Sequence, residues 1–361
     1  MKKAFSLMVM FVAFGVLAAE MRLNTLFSDN MVLAAEKPIR VFGSGDGEAI
    51  VRIDGREACA QSVNGSWLVE MPAILKRGKS YEMEVVLNGK SRTVRNVRIG
   101  EVWLMSGQSN IQFKLKEESG YPANAADDAD IAYFNCKRPG SPDRFGPKDG
   151  WVVAAKDRVG DWSALGWLFA LERKMKSGLP VGIVCCCQGA STVQAWLPNT
   201  VASEDRYQTP RIEMHADHFS SKYHWNKPFG QLYEKMFRTV VPYSFSGIIW
   251  YQGESNTGKG EYKTYPDLLE RLIGIWRSDL RDSVLPFTLV RIADFDLRVD
   301  DGWRNIQRAI DSMPMRCKGV RVVPNVVPPS EAREIHPPTK SGLARSLSEN
   351  VGAEPEDCVQ S

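Results

Sequence analysis

The chain has 361 residues, 43% hydrophobic and 25% charged, with ten tryptophans and a formal net charge of +3. That length fits about two domains of roughly 100–200 residues with full cores. Without residues 1–19, which carry two lysines and no acid, the charge falls to +1, and such balance argues against nucleic acid or an anionic membrane as the main partner.

Lys2 and Lys3 open the chain, Phe5 to Leu17 is almost uninterruptedly apolar, and the small residues Ala18 and Ala19 precede Glu20. The run is too short for a spanning helix, which needs about 20 apolar residues. The order charged, apolar, small is that of an export signal over residues 1–19. No cysteine follows the small residues, so no lipid anchor is expected there. The remaining chain is expected in a periplasm or outside the cell.

Residues 20–98 read as a small β-sandwich. Short alternating runs at Ile39–Phe42, Ala49–Ile53, Ser66–Met71 and Tyr81–Leu87 are separated by turn signals at Gly43–Gly47, Asp54-Gly55, Asn64-Gly65 and Asn88-Gly89. From residue 99 to 361 the pattern changes. Apolar strands are predicted at 100–105, 181–187, 246–251 and 285–292, alternating with helices at 163–177, 228–240, 262–278 and 302–312. That is the grammar of a parallel sheet covered by helices. Long polar stretches at 114–162 and 199–226 interrupt it, and the acids Asp127, Asp128 and Asp130 in the first read as a solvated face.

Seven cysteines cannot all pair, and their spacing is neither a zinc pattern nor a disulfide scaffold. Cys185, Cys186 and Cys187 extend the apolar run Val181–Val184 and read as small apolar side chains of a central strand. Bridges Cys59–Cys136 and Cys317–Cys358 are conceivable, but spacing does not decide connectivity.

The chemistry-bearing pattern is Ser106-Gly107-Gln108-Ser109-Asn110, directly after the apolar run Val102–Met105. A strand broken by glycine into a polar turn places a serine hydroxyl at the carboxyl edge of a sheet, where open α/β sheets bind ligands. A serine nucleophile needs a base and donors for the oxyanion. The chain has four histidines. His215, His218 and His224 fall in the polar stretch and, with Asp217, form a rival zinc set that fits no established metal motif. His336 lies in Ile335-His336-Pro337-Pro338 before a predicted helix at 339–350, with Glu331 and Glu334 nearby.

Gly100-Glu-Val-Trp-Leu-Met-Ser-Gly-Gln-Ser-Asn110 resembles the first block of the SGNH (GDSL-like) hydrolases, in the form found in sialate O-acetylesterases. Similar segments follow in the family's order: Leu26–Leu33, Pro180–Ile183, Gln188-Gly-Ala-Ser-Thr-Val-Gln-Ala-Trp196, Gly247-Ile-Ile-Trp-Tyr-Gln-Gly-Glu-Ser-Asn256, Trp276-Arg277, Leu285–Phe287 and Ile335-His336-Pro337. The resemblance implies a flavodoxin-like three-layer fold and a serine esterase acting on O-acetylated carbohydrate, sialic acid above all, without cofactor or metal. It implies Ser109 as nucleophile, His336 as general base, and the N–H groups of Ser109 and Gly189 as oxyanion donors. Gln108, Gln252 and Asn256 are expected to bind oxyanion or substrate. Trp196 and Trp250 read as core aromatics.

Three departures from the family pattern stand out. Gly189-Ala190-Ser191 replaces Gly-Gly-Thr, Glu334 replaces an aspartate before the histidine, and Arg333 stands three residues before His336 where many relatives carry Asp. The imidazole's partner is therefore open among Glu334, Glu331 and Glu254, or a backbone carbonyl in a Ser–His dyad. Other readings are an esterase for acetylxylan or another glycan, a glycan-binding protein without catalysis, and a zinc hydrolase built on residues 215–224.

Overall fold

The structure is a computed structural model that describes residues 19–73, 79–136, 150–207, 230–258, 260–297 and 301–351. Residues 1–18 of the expected export signal, the histidines at 215, 218 and 224, and Cys358 lie outside the described residues. The strands are β1 (Arg22–Leu23), β2 (Val32–Ala34), β3 (Ile39–Ser44), β4 (Glu48–Ile53), β5 (Arg56–Gln61), β6 (Ser66–Met71), β7 (Ser80–Leu87), β8 (Lys90–Gly107), β9 (Asp128–Asn135), β10 (Val152–Ala154), β11 (Val181–Cys187), β12 (Gly247–Tyr251), β13 (Phe287–Arg291) and β14 (Val320–Pro324). The helices that position the site are α1 (Ser109–Gln112), α2 (Ala164–Ser177), α3 (Tyr265–Asp279), α4 (Asp301–Arg316) and α5 (Ser341–Asn350).

The molecule is a mixed α/β structure around one large sheet. Its main path runs β10-β9-β11-β8-β12-β13-β14, parallel throughout except for β10 at the edge. Every residue of β11 is buried, as a strand covered on both faces requires. Helix α2 packs on β11 and α5, while α3 and α4 pack together and α4 covers β13 and β14. Trp276 of α3 stacks on Phe237 at 3.9 Å and meets Trp250 edge-on at 5.5 Å. Trp196 and Trp250 are fully enclosed core aromatics, as predicted.

Toward the N-terminus, β1, β3 and β6 form a separate three-stranded sheet, while β4, β5 and β7 join the first half of β8 antiparallel. The Asp54-Gly55, Asn64-Gly65 and Asn88-Gly89 pairs all have positive φ at both residues, the conformation of type I′ hairpin turns. Strand β8 runs unbroken through position 98 into the central sheet. Arg40 donates to the carbonyls of Leu280 and Arg281, and Lys37 pairs with Asp282 at 2.7 Å, so the N-terminal strands are fastened to the rest.

Two expectations need correction. The acids at 127, 128 and 130 are only in part a solvated face: Asp127 is exposed, but Asp128 and Asp130 start β9, where Lys174 of α2 pairs with Asp128 at 2.6 Å and Asp130 at 3.1 Å. Cys59 and Cys136 are free thiols, one exposed and one buried. In β11 the alternation holds: Cys185 and Cys187 share a face with sulfurs 3.5 Å apart, and Cys186 points the other way toward Cys136.

Candidate active site

Cys187, Gly107 and Tyr251 sit at the same level of neighbouring strands, so β11, β8 and β12 end together. The chain order reverses direction across β8, and that switch point is where an open sheet leaves a crevice. Each of the three strands is followed by a glutamine: Gln188, Gln108 and Gln252. Gly107 makes the turn possible. Its φ is 131°, and a Cβ there would lie 2.0 Å from the Tyr251 carbonyl oxygen.

Ser109 is the first residue of α1, so its N–H has no acceptor within that turn. His336 reaches it from a loop 227 positions away, with Nε2 2.7 Å from Ser109 Oγ. Both line a cavity of about 580 Å³ together with Gln108, Gln112, Glu117, Gln188, Gly189 and Glu254. Partial desolvation holds the imidazole's pKa below its usual value, and the Lys340 cation adds to that. Glu117 and then Glu334 oppose it.

The loop carrying His336 is pinned to the segment after Ser109. Asn110 donates to the Ile335 carbonyl at 3.1 Å and to Glu254 Oε1 at 2.7 Å, and it accepts from Lys340 Nζ at 2.7 Å. The Lys340 N–H donates to Glu118 Oε1 at 3.2 Å, and the Ser119 N–H to the Pro338 carbonyl at 3.2 Å. Burial brings the Lys340 pKa down to about 8, and it raises that of the Glu254 carboxyl.

No carboxylate hydrogen-bonds to His336 among the described residues. Glu331 is used by Thr339, accepting from its N–H at 3.1 Å and its hydroxyl at 2.5 Å. Glu254 is turned to Asn110. Glu334 is exposed and makes no side-chain hydrogen bond among the described residues. The acid with the largest favourable field at the imidazole is Glu117, which sequence reasoning missed. It lies only eight positions after Ser109 but carries no motif.

Gln252 and Asn256 are fully buried behind the cavity. Gln252 Nε2 donates to Gln108 Oε1, the Ser191 carbonyl and Asn256 Oδ1, and Asn256 Nδ2 donates to Gln194. Gln108 borders the cavity, but its Oε1 also receives the Ser255 N–H at 3.2 Å. Gln252 and Asn256 thus brace the strand ends, while Gln108 and Gln188 line the cavity. Gly189 does face the cavity, and its N–H donates to Gln112 Oε1 at 2.9 Å.

A family model for carbohydrate esterases, sialic acid-specific acetylesterase, matches residues 99–344. The sialate O-acetylesterase of Rattus norvegicus is 22% identical over 328 residues, covering 74% of this chain and 60% of that protein. That of Homo sapiens is 25% identical over 329 residues, covering 79% and 60%. The chain thus spans 60% of the length of these curated relatives. Among solved structures, a carbohydrate acetylesterase from Xanthomonas citri matches with a TM-score of 0.76 at 27% identity, covering 91% of this chain and 74% of that one. The matched region takes in the crevice, Ser109 and His336 alike, and with it the chain belongs to the sialic acid-specific acetylesterase family of carbohydrate esterases.

Proposed function

We propose that the protein is a carbohydrate O-acetylesterase acting on O-acetylated sialic acids through a Ser109–His336 pair. The observation that carries the reading is the 2.7 Å contact between His336 Nε2 and Ser109 Oγ inside a crevice at the ends of parallel strands. Neutral His336 takes the Ser109 proton as Oγ attacks the acetyl carbonyl. The N–H groups of Ser109 and Gly189 hold the oxyanion. His336 returns the proton to the departing sugar hydroxyl, leaving an acetyl-enzyme. It then deprotonates water, which attacks the acetyl carbon, and acetate leaves as Ser109 regains its proton.

No carboxylate partner is needed in this scheme; the fields of Glu117 and Glu334 stabilise the imidazolium through space. Residues 20–98 are proposed as a small β-sandwich and 99–361 as the SGNH-type catalytic unit in three layers, the two sharing β8. Export by cleavage after residue 19 places the enzyme in a periplasm or outside the cell, which fits a polymeric or surface-bound acetylated glycan. Cell fractionation and N-terminal sequencing of the purified protein test that placement.

The chemical test is acetate release by wild type and Ser109→Ala from O-acetylated sialosides and from acetylxylan. The variant should keep its fold by circular dichroism and lose turnover. Unchanged turnover refutes the nucleophile, and exclusive turnover of acetylxylan refutes the sugar assignment.

A further inference from the structure

We propose that Gln112 is a resident competitor for the oxyanion position, a residue that sets how strongly the intact ester binds. The inference rests on the reading of the Gly189 N–H as an oxyanion donor. That N–H is already bonded, to Gln112 Oε1 at 2.9 Å. The same oxygen lies 2.9 Å from where a Cβ on Gly189 would stand, and the Ser109 Cβ lies 3.6 Å from that point. The amide oxygen therefore holds, beside the serine, the N–H that an attacked carbonyl oxygen would need.

Sequence spacing makes this arrangement local. Gln112 is the last residue of α1 and Ser109 the first, and residues three apart on a helical turn share a face. Gln112 is half-buried and borders the cavity beside Gln188, Gly189 and His336.

The energetics separate ground state from transition state. An amide carbonyl and an ester carbonyl are both neutral acceptors, so exchanging one for the other at Gly189 gains little. The tetrahedral oxyanion is charged, and a charge-assisted hydrogen bond is roughly twice as strong. Gln112 thus cancels the ground-state part of the Gly189 interaction and leaves the part that accelerates the reaction. It also weakens product acetate, which would otherwise hold the same N–H.

The experiment uses the full chain with Gln112→Ala, Gln112→Met and Gln112→Glu. KM and kcat are measured on a chromogenic aryl acetate, and the acetate Kd by calorimetry. Methionine keeps the length without a strong acceptor, so it carries the test where alanine disturbs α1. Both should lower KM and acetate Kd roughly three- to tenfold, the worth of one exchanged neutral hydrogen bond, while kcat stays within about twofold. Gln112→Glu should raise both, with the defect shrinking as pH falls toward its carboxyl pKa of about 4.3. Unchanged KM and Kd in the methionine variant overturn the proposal. So does a tenfold loss of kcat in that variant, which would make Gln112 a donor to the transition state. If wild type cleaves no acetyl ester, the esterase reading fails on its own, and the acetate Kd of the methionine variant still decides the role of Gln112.

Discussion

Lys340 Nζ donates to Asn110 Oδ1 at 2.7 Å, joining a buried cation to the residue that follows the candidate nucleophile. Asn110 passes the connection on to Glu254 and to the backbone beside His336. One side chain therefore ties together the backbone beside two residues that stand 227 positions apart in the chain. Asn110→Ala leaves an ammonium and a carboxyl buried without their bridging amide. It should cost about 3 kcal/mol in urea unfolding and lower kcat by roughly tenfold or more. A variant as stable and as fast as wild type would show that the bridge is idle.

The pH profile carries a second prediction. His336 must be neutral to accept the Ser109 proton, and its pKa is held below the usual 6.5 by desolvation and by Lys340. The acid limb of kcat/KM should therefore fall below 6.5. Removing the cation in Lys340→Met lets the imidazolium form more readily, so the limb moves to higher pH and activity near pH 6 drops. A limb that stays put, or moves down, would separate Lys340 from the histidine's titration.

The acids near His336 should be individually modest. In a triad with a hydrogen-bonded carboxylate, neutralising the acid costs about 10⁴-fold in kcat. Here Glu334→Gln, Glu331→Gln and Glu254→Gln should each cost less than about a hundredfold, because none touches the ring. Glu117→Gln should shift the acid limb further down, since this carboxylate favours the charged ring. A 10⁴-fold loss in any one of the four would identify a partner that swings in during turnover.

Backbone strain gives a pair of opposite effects. Ala190 has a φ of 55°, where a Cβ is disfavoured by roughly 1–2 kcal/mol, offset in part by the flexibility glycine adds to the unfolded chain. Ala190→Gly should stabilise by about 0.5 kcal/mol, raising Tm by about 1–2 °C in a scanning melt. Gly107→Ala should do the reverse, because its Cβ would collide with the Tyr251 carbonyl. A loss of at least about 3 kcal/mol, with turnover gone, is expected.

Much of this was legible before any coordinates. The hairpins of residues 39–89 announced themselves through Asp-Gly and Asn-Gly pairs, because type I′ geometry admits few other residues. Motif singled out Ser109 at a strand end and His336 between acids and prolines, and the fold brings their side chains to 2.7 Å. The misses share a cause: local patterns do not report long-range partners. Asp128 and Asp130 looked solvated because Lys174 lies on another element. Strand β14 went unseen, since Arg321 interrupts its apolar run. The burial of Gln252 and Asn256 against other amides was likewise not legible in the motif they occupy. Gln112 and Glu117 carry no signature, and only the packing of α1 against Gly189 and of the following turn near His336 reveals them.

Strand β8 passes from the N-terminal hairpins into the crevice without a break, its first half paired with β7 and its last residue beside Tyr251. The eighty residues or so ahead of position 99 are accordingly no detachable cassette. A chain that begins at position 99 loses the first half of β8 along with β2, whose Leu33 and Ala34 pair with Ile99 and Gly100, so the shortened product should be recovered as aggregate. Heating the intact protein should give one endotherm rather than two.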